Sequence, residues 1–153
     1  MSSNEDYLLD LLELSKLIDV NKETLNEIIH ASIKIKDNSY CVYSKFRVGS
    51  VVLTKNNNIY KGVNIENISY GATNCAERSA IFAAISLGER EFKLITVSSD
   101  LDTFLTPCGL CRQVMSEFNI KYILLINKNK SIKLIKLEAL FPDEPVIDCL
   151  KNK

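Results

Sequence analysis

The sequence has no tryptophan, one histidine, three prolines and five glycines, and its 19 basic side chains are cancelled by 19 acidic ones. Each scarcity excludes something. Without net charge no global field draws in a polyanion or an anionic surface, so a small or neutral partner is expected, and neither nucleic acid nor membrane. No run reaches the ~18 apolar residues of a membrane span. The N-terminal segment is interrupted by Asp10, Glu13 and Asp19, and it has no basic n-region or small-residue cleavage site. Such a chain is expected in the cytoplasm, where thiols stay reduced and clustered cysteines bind metal or react more often than they pair. Five cysteines, an odd number, agree with this. There is no internal repeat, low-complexity tract or linker, and 153 residues suit one domain.

Leu8, Leu11, Leu12, Leu14, Leu17 and Ile18 follow Ser2 and Ser3 at helical spacing, which predicts a docking helix over 2–18 that ends at Asp19-Val20-Asn21. Residues 1–20 therefore read as an N-terminal helical extension, and 21–153 as one catalytic domain. Leu25, Ile28, Ile29, Ile33 and Ile35 predict a second helix to about Asp37. Valine-rich 47–54, turn residues 55–58 and the extended run 59–64 predict a β-hairpin. After a loop at 65–74 comes an alanine-rich helix over 75–87, stopped by Gly88. Strands are expected at 93–99, 121–127 and 131–137, and helices at 107–118 and 137–141. The fold class is α/β, a three-layer α/β/α domain around a mixed five-stranded sheet.

Chemistry concentrates in Cys75-Ala76-Glu77 and Pro107-Cys108-Gly109-Leu110-Cys111. Thr73-Asn74 and Thr106-Pro107 are helix-start residues, so Cys75 and Cys108 belong at helix N-termini, where free N–H groups and the dipole favour thiolates. Cys108 and Cys111 share one helix face, and two antiparallel-facing helix ends would close a pocket. Three thiolates suffice for zinc and leave its fourth corner open for chemistry. Arg78, one turn after Cys75, is placed to donate to the ligand sulfurs, and Glu77 is the carboxylate available to move protons. Three other readings stay open. Cys41, Cys149 or His30 would complete a closed structural zinc site; Cys108-x-x-Cys111 would serve as a redox pair, although no tryptophan precedes it; or the cysteines are simply buried.

The run Cys75-Ala76-Glu77-Arg78, with Pro107-Cys108-Gly109-Leu110-Cys111-Arg112-Gln113, resembles the small, zinc-dependent, homotetrameric cytidine deaminases. Tyr43-Ser44-Lys45-Phe46-Arg47-Val48-Gly49 and Gly62-Val63-Asn64-Ile65-Glu66-Asn67 agree, and the similarity runs from about residue 22 to 142. The resemblance implies zinc on Cys75, Cys108 and Cys111, and hydrolytic deamination of cytidine and 2'-deoxycytidine in pyrimidine salvage, with Glu77 relaying protons. It also implies Phe46 against the pyrimidine, the Ala76 N–H on the base carbonyl, and Asn64 and Glu66, one face of a strand, on the ribose. In a tetramer with shared sites Ile68 and Tyr70 would reach a neighbour's pocket. The family's pocket phenylalanine near the C-terminus falls here on Pro145, with Phe141 nearby. Two rival functions are a deaminase of a cytosine-containing antibiotic of the blasticidin S type and a zinc-stabilised interaction module without turnover. Polynucleotide editors usually take histidine as first ligand, whereas His30 sits in a predicted helix. Lysines 121, 128, 130, 133 and 136 fall on strand ends and an edge, where they keep the sheet soluble.

Overall fold

The structure is a computed structural model that describes residues 10–142. Its helices are α1 (Leu11–Ile18), α2 (Lys22–Ile35), α3 (Ala76–Ser86), α4 (Gly109–Glu117) and α5 (Leu137–Leu140), with short 3₁₀ turns at Lys36–Asn38 and Tyr70–Ala72. The strands are β1 (Val48–Thr54), β2 (Ile59–Val63), β3 (Phe92–Ser99), β4 (Tyr122–Ile126) and β5 (Ile132–Lys136). They form one mixed sheet in the order β2-β1-β3-β4-β5. β3 and β4 are parallel, and the other neighbours antiparallel.

Alternation along the strands builds a core on each face. Val52, Ile95, Val97, Ile123 and Leu125 meet Ala76, Ala80, Ile81, Ala84 and Met115 of α3 and α4. Val51, Leu53, Leu94, Leu124 and Leu134 meet Leu14, Ile18, Leu25 and Ile28 of α1 and α2. The expected three layers are present. Of the helix expected over 2–18, the described part runs Leu11–Ile18, because Asp10 is extended and accepts the Leu12 and Glu13 N–H groups while Glu13 bonds back to its N–H. Ser2, Ser3 and Leu8 lie outside the described residues.

Helix ends follow local chemistry. Gly88 (φ 94°) closes α3 as the Gly88 and Glu89 N–H groups bond the Ile85 and Ala84 carbonyls, and Asn119 (φ 55°) does the same for α4. β2 stops at Val63, one residue short of expectation. Asn64 and Glu66 therefore lie beyond the strand, in a segment where Ile65 bridges both Tyr40 and Asn74.

Topology places the functional residues. β2 and β3 both run antiparallel to β1, so they point the same way, and α3 and α4 each start where one of them ends. Both helix N-termini therefore lie toward one end of the strands, where β2 and β3 finish. The two helices run in the same direction and present like ends, not the antiparallel-facing ends expected from sequence. α3 lies against β2 at Gly62, where an added Cβ would stand 2.3 Å from the Ala80 nitrogen and 2.4 Å from the Ala76 carbonyl oxygen. Neither backbone atom can yield without moving the helix. Gly62→Ala is expected to destabilise the fold by about 3 kcal/mol in chemical denaturation. It should also lower the metal content of the folded protein, since the displaced turn carries Cys75.

Candidate metal centre and substrate groove

Cys75 is the N-cap of α3 and Cys108 the N-cap of α4, both with extended backbone. The preceding threonine pairs do not cap these helices; the cysteines stand in the capping position themselves. Cys111 follows in the first turn of α4, fully buried. The Cys108 Sγ lies 3.6 Å from Cys75 Sγ and 3.5 Å from Cys111 Sγ, and all three sulfurs fall within 4.8 Å of one another. Sulfurs bound at about 2.3 Å to a tetrahedral zinc stand about 3.8 Å apart, so the three fit that ion with little adjustment. Among the described residues neither His30, exposed on α2, nor the half-buried Cys41 joins them, and Cys149 lies outside those residues. The described ligand set has three members.

Electrostatics favour a cation here. The Cys75 thiol is lowered to about 5 because it accepts from Cys111, from Arg78 and from Cys108. Crowded thiols share protons that a divalent cation displaces. The Arg78 Nη2 lies 3.7 Å from Cys75 Sγ and 3.3 Å from the Thr73 carbonyl oxygen, while its Nε is buried without a partner among the described residues. One guanidinium thus offsets part of the charge that three thiolates would concentrate. Glu77, 4% exposed, has its carboxyl pushed up to about 7, chiefly by burial and further by the Cys75 charge. A carboxyl in that range can hold a proton and give it up.

A groove of about 380 Å³ opens beside the cluster, lined by Tyr43, Ser44, Glu66, Asn67, Tyr70 and Thr73. Thr73 links the two, since its carbonyl receives Arg78. The Glu66 carboxylate accepts the Tyr43 N–H (2.8 Å), the Ser44 N–H (3.2 Å) and the Ser44 hydroxyl, which holds it below its usual range. Asn64 is buried: its Oδ1 accepts the Val48 N–H (2.9 Å) and its Nδ2 donates to the Phe46 carbonyl (2.8 Å). Both side chains pin the segment carrying Phe46. Phe46 packs on the same apolar cluster as Ala76 and Cys111. Ala76 is the first residue of α3, so its N–H has no intrahelical partner.

Tyr70 and Ile68 are 79% and 83% exposed at the groove's margin. Phe141 lies elsewhere, lining a separate cavity of about 460 Å³ with Ser116, Asn119, Ile120 and Tyr122, and Pro145 is outside the described residues. Tyr43, Ser44 and Asn67 line the groove although the sequence assigned them no role, and of these Ser44 holds Glu66 through its hydroxyl. Its position in the run 43–49 was visible, but its bond to a residue 22 positions away was not.

An open three-thiolate site with a buried carboxyl defines a zinc-dependent hydrolytic centre. Residues 22–127 match the cytidine and deoxycytidylate deaminase zinc-binding region. A probable cytidine deaminase of Dictyostelium discoideum is 42% identical over 124 residues, 80% of this chain and 84% of the relative. The crystal structure of a cytidine deaminase from Burkholderia pseudomallei superposes with a TM-score of 0.75 at 35% identity, over 78% of this chain and 98% of that one. A blasticidin-S deaminase of Bacillus cereus is 32% identical over 107 residues, 65% of this chain and 76% of the relative. The chain belongs to the zinc-binding cytidine deaminase family. Cys108→Ala is expected to reduce zinc from about one ion per chain to a small fraction of that, measured by elemental analysis of purified protein.

Proposed function

We propose that this protein deaminates cytidine and 2'-deoxycytidine to uridine and 2'-deoxyuridine, releasing ammonia. The observation that carries this reading is Glu77, a carboxyl 4% exposed on the turn that holds Cys75. Burying a carboxyl without a charged partner is costly, and such groups cluster where protons move. A purely structural zinc module has no use for it. Zinc on Cys75, Cys108 and Cys111, when bound, supplies a Lewis acid that makes water nucleophilic at neutral pH.

The chain's own residues do the rest. Phe46 offers a flat apolar wall to the pyrimidine. The unpaired Ala76 N–H takes the base carbonyl, fixing carbon 4 toward the cluster. Glu77 accepts one proton of the attacking water and places it on ring nitrogen 3; it then takes the second from the new hydroxyl on carbon 4 as the carbonyl forms, and delivers it to the departing amine. With three contacts already made, Glu66 keeps one acceptor position, and Asn64 keeps one N–H, so together they suit a single sugar hydroxyl. That pairing favours a nucleoside over an antibiotic of the blasticidin S type. Glu77→Gln is expected to retain zinc while lowering the rate of absorbance loss with cytidine by about 10²–10⁴-fold. Near-normal turnover would refute the assignment.

The assembly we propose is a homotetramer with shared pockets, acting in the cytoplasm in pyrimidine salvage. Among the described residues no helix is long and apolar enough to cross a membrane. Ile68 and Tyr70, apolar and almost fully exposed beside the groove, are suited to reach the pocket of a second copy. Ile68→Asp should shift the protein toward smaller species in analytical ultracentrifugation and lower kcat/KM at least about tenfold. A fully active monomer would remove the sharing.

A further inference from the structure

Three parts of the chain meet at Asp100, the residue after β3. Its Oδ1 accepts the Lys36 Nζ at 3.0 Å, and its Oδ2 accepts the Arg47 Nε at 2.8 Å. Lys36, in the 3₁₀ turn after α2, is only 7% exposed and also donates to the Ser99 carbonyl at 3.2 Å. Arg47 continues outward to Asp37 at 3.0 Å. A lysine withdrawn this far from water needs a fixed anion, which distinguishes the arrangement from an ordinary surface ion pair.

The location gives the contact its consequence. Lys36 and Arg47 bracket the arm 37–46, which carries Tyr43 and Ser44 of the groove and ends on Phe46. Asp100 opens the loop that leads to Cys108. Asn64 fixes the backbone on both sides of Arg47, at Phe46 and Val48, while the Arg47 side chain is fixed by Asp100. Phe46 therefore stands where two sets of restraints cross.

We infer that Asp100 is a positioning residue: by joining Lys36 and Arg47 it sets the stance of Phe46, and of the groove behind it, relative to the limb bearing Cys108 and Cys111. The inference rests on the nucleoside reading of the site. Asp100 touches neither the cysteines nor Glu77, so its loss changes how the base is received and leaves proton transfer intact. A wall displaced by a fraction of an ångström weakens binding of substrate and product alike.

The test is Asp100→Asn, nearly isosteric and uncharged, in the zinc-loaded protein. KM for cytidine should rise about tenfold with kcat changed less than about twofold, and calorimetry should show uridine binding weakened by about the same factor at unchanged zinc content. Asp37→Ala, which removes only the outer bond of Arg47, should leave KM unchanged. Should Asp100→Asn fail to fold, Arg47→Gln at the exposed end should still raise KM several-fold. KM and uridine affinity within twofold of wild type, whatever the melting temperature does, would overturn the inference. A wild-type protein that neither binds uridine nor deaminates cytidine would instead overturn the nucleoside reading beneath it.

Discussion

Everything at the site depends on how closely the first turn of α3 approaches β2. At Gly62 the helix backbone lies where any other residue would carry its Cβ. The adjacent strand repeats the constraint on the opposite face: Gly49 of β1 has the Ser32 carbonyl oxygen of α2 at 2.3 Å from its would-be Cβ. Since Gly49 pairs with Val63 and Ser50 with Gly62, the two close approaches fall within a residue of each other along the sheet. The sandwich is thus pinched at one end. Cys75 and Glu77 emerge from that pinch, and their placement is fixed by backbone contacts that side-chain repacking cannot loosen.

The same rigidity makes the charge arrangement workable. Three sulfurs within 4.8 Å of one another and a carboxyl 4% exposed would repel strongly if all were ionised without a cation. Among the described residues Arg78 is the cation that contacts a sulfur of the cluster, and its backbone anchor at Thr73 prevents it from swinging away toward water. Two helix N-termini at one end of the sheet add partial positive charge from unpaired N–H groups. The site therefore stores the demand for a divalent ion in its geometry, and burial of Glu77 is tolerable because that carboxyl can hold a proton.

Legibility in the sequence followed the range of the forces involved. The Cys75 and Cys108–Cys111 spacings, the Gly88 stop and the alternation of the valine-rich strands are local signals, and each identified its element to within a residue or two. The sequence reading placed the helix start at the serines, whereas α1 starts at Leu11, where Asp10 and Glu13 make a capping box inside the leucine run. Asn64 and Glu66 looked like a free pair on a strand face. Their contacts with Val48, Phe46, Tyr43 and Ser44 span 16 to 23 positions, and only the tertiary fold brings those backbone groups within reach. The relative direction of α3 and α4 was unreadable for the same reason, since it follows from two strand pairings with β1.

The helix α1 shows how far a segment outside the matched region can still belong to the fold. The family match begins at residue 22, yet Leu14 is fully buried and Ile18 nearly so, against Val51, Leu53, Leu94, Leu124 and Leu134. These strand residues alternate with Val52, Ile95, Ile123 and Leu125, which face α3 and α4. One sheet therefore transmits the packing of α1 to the strands that carry α3 and α4, and it does so through β1 and β3, the same strands that orient Gly49 and Asp100. Covering that apolar face strengthens the layer against which both cysteine-bearing helices are held, although α1 itself lies on the opposite side of the sheet from α3 and α4.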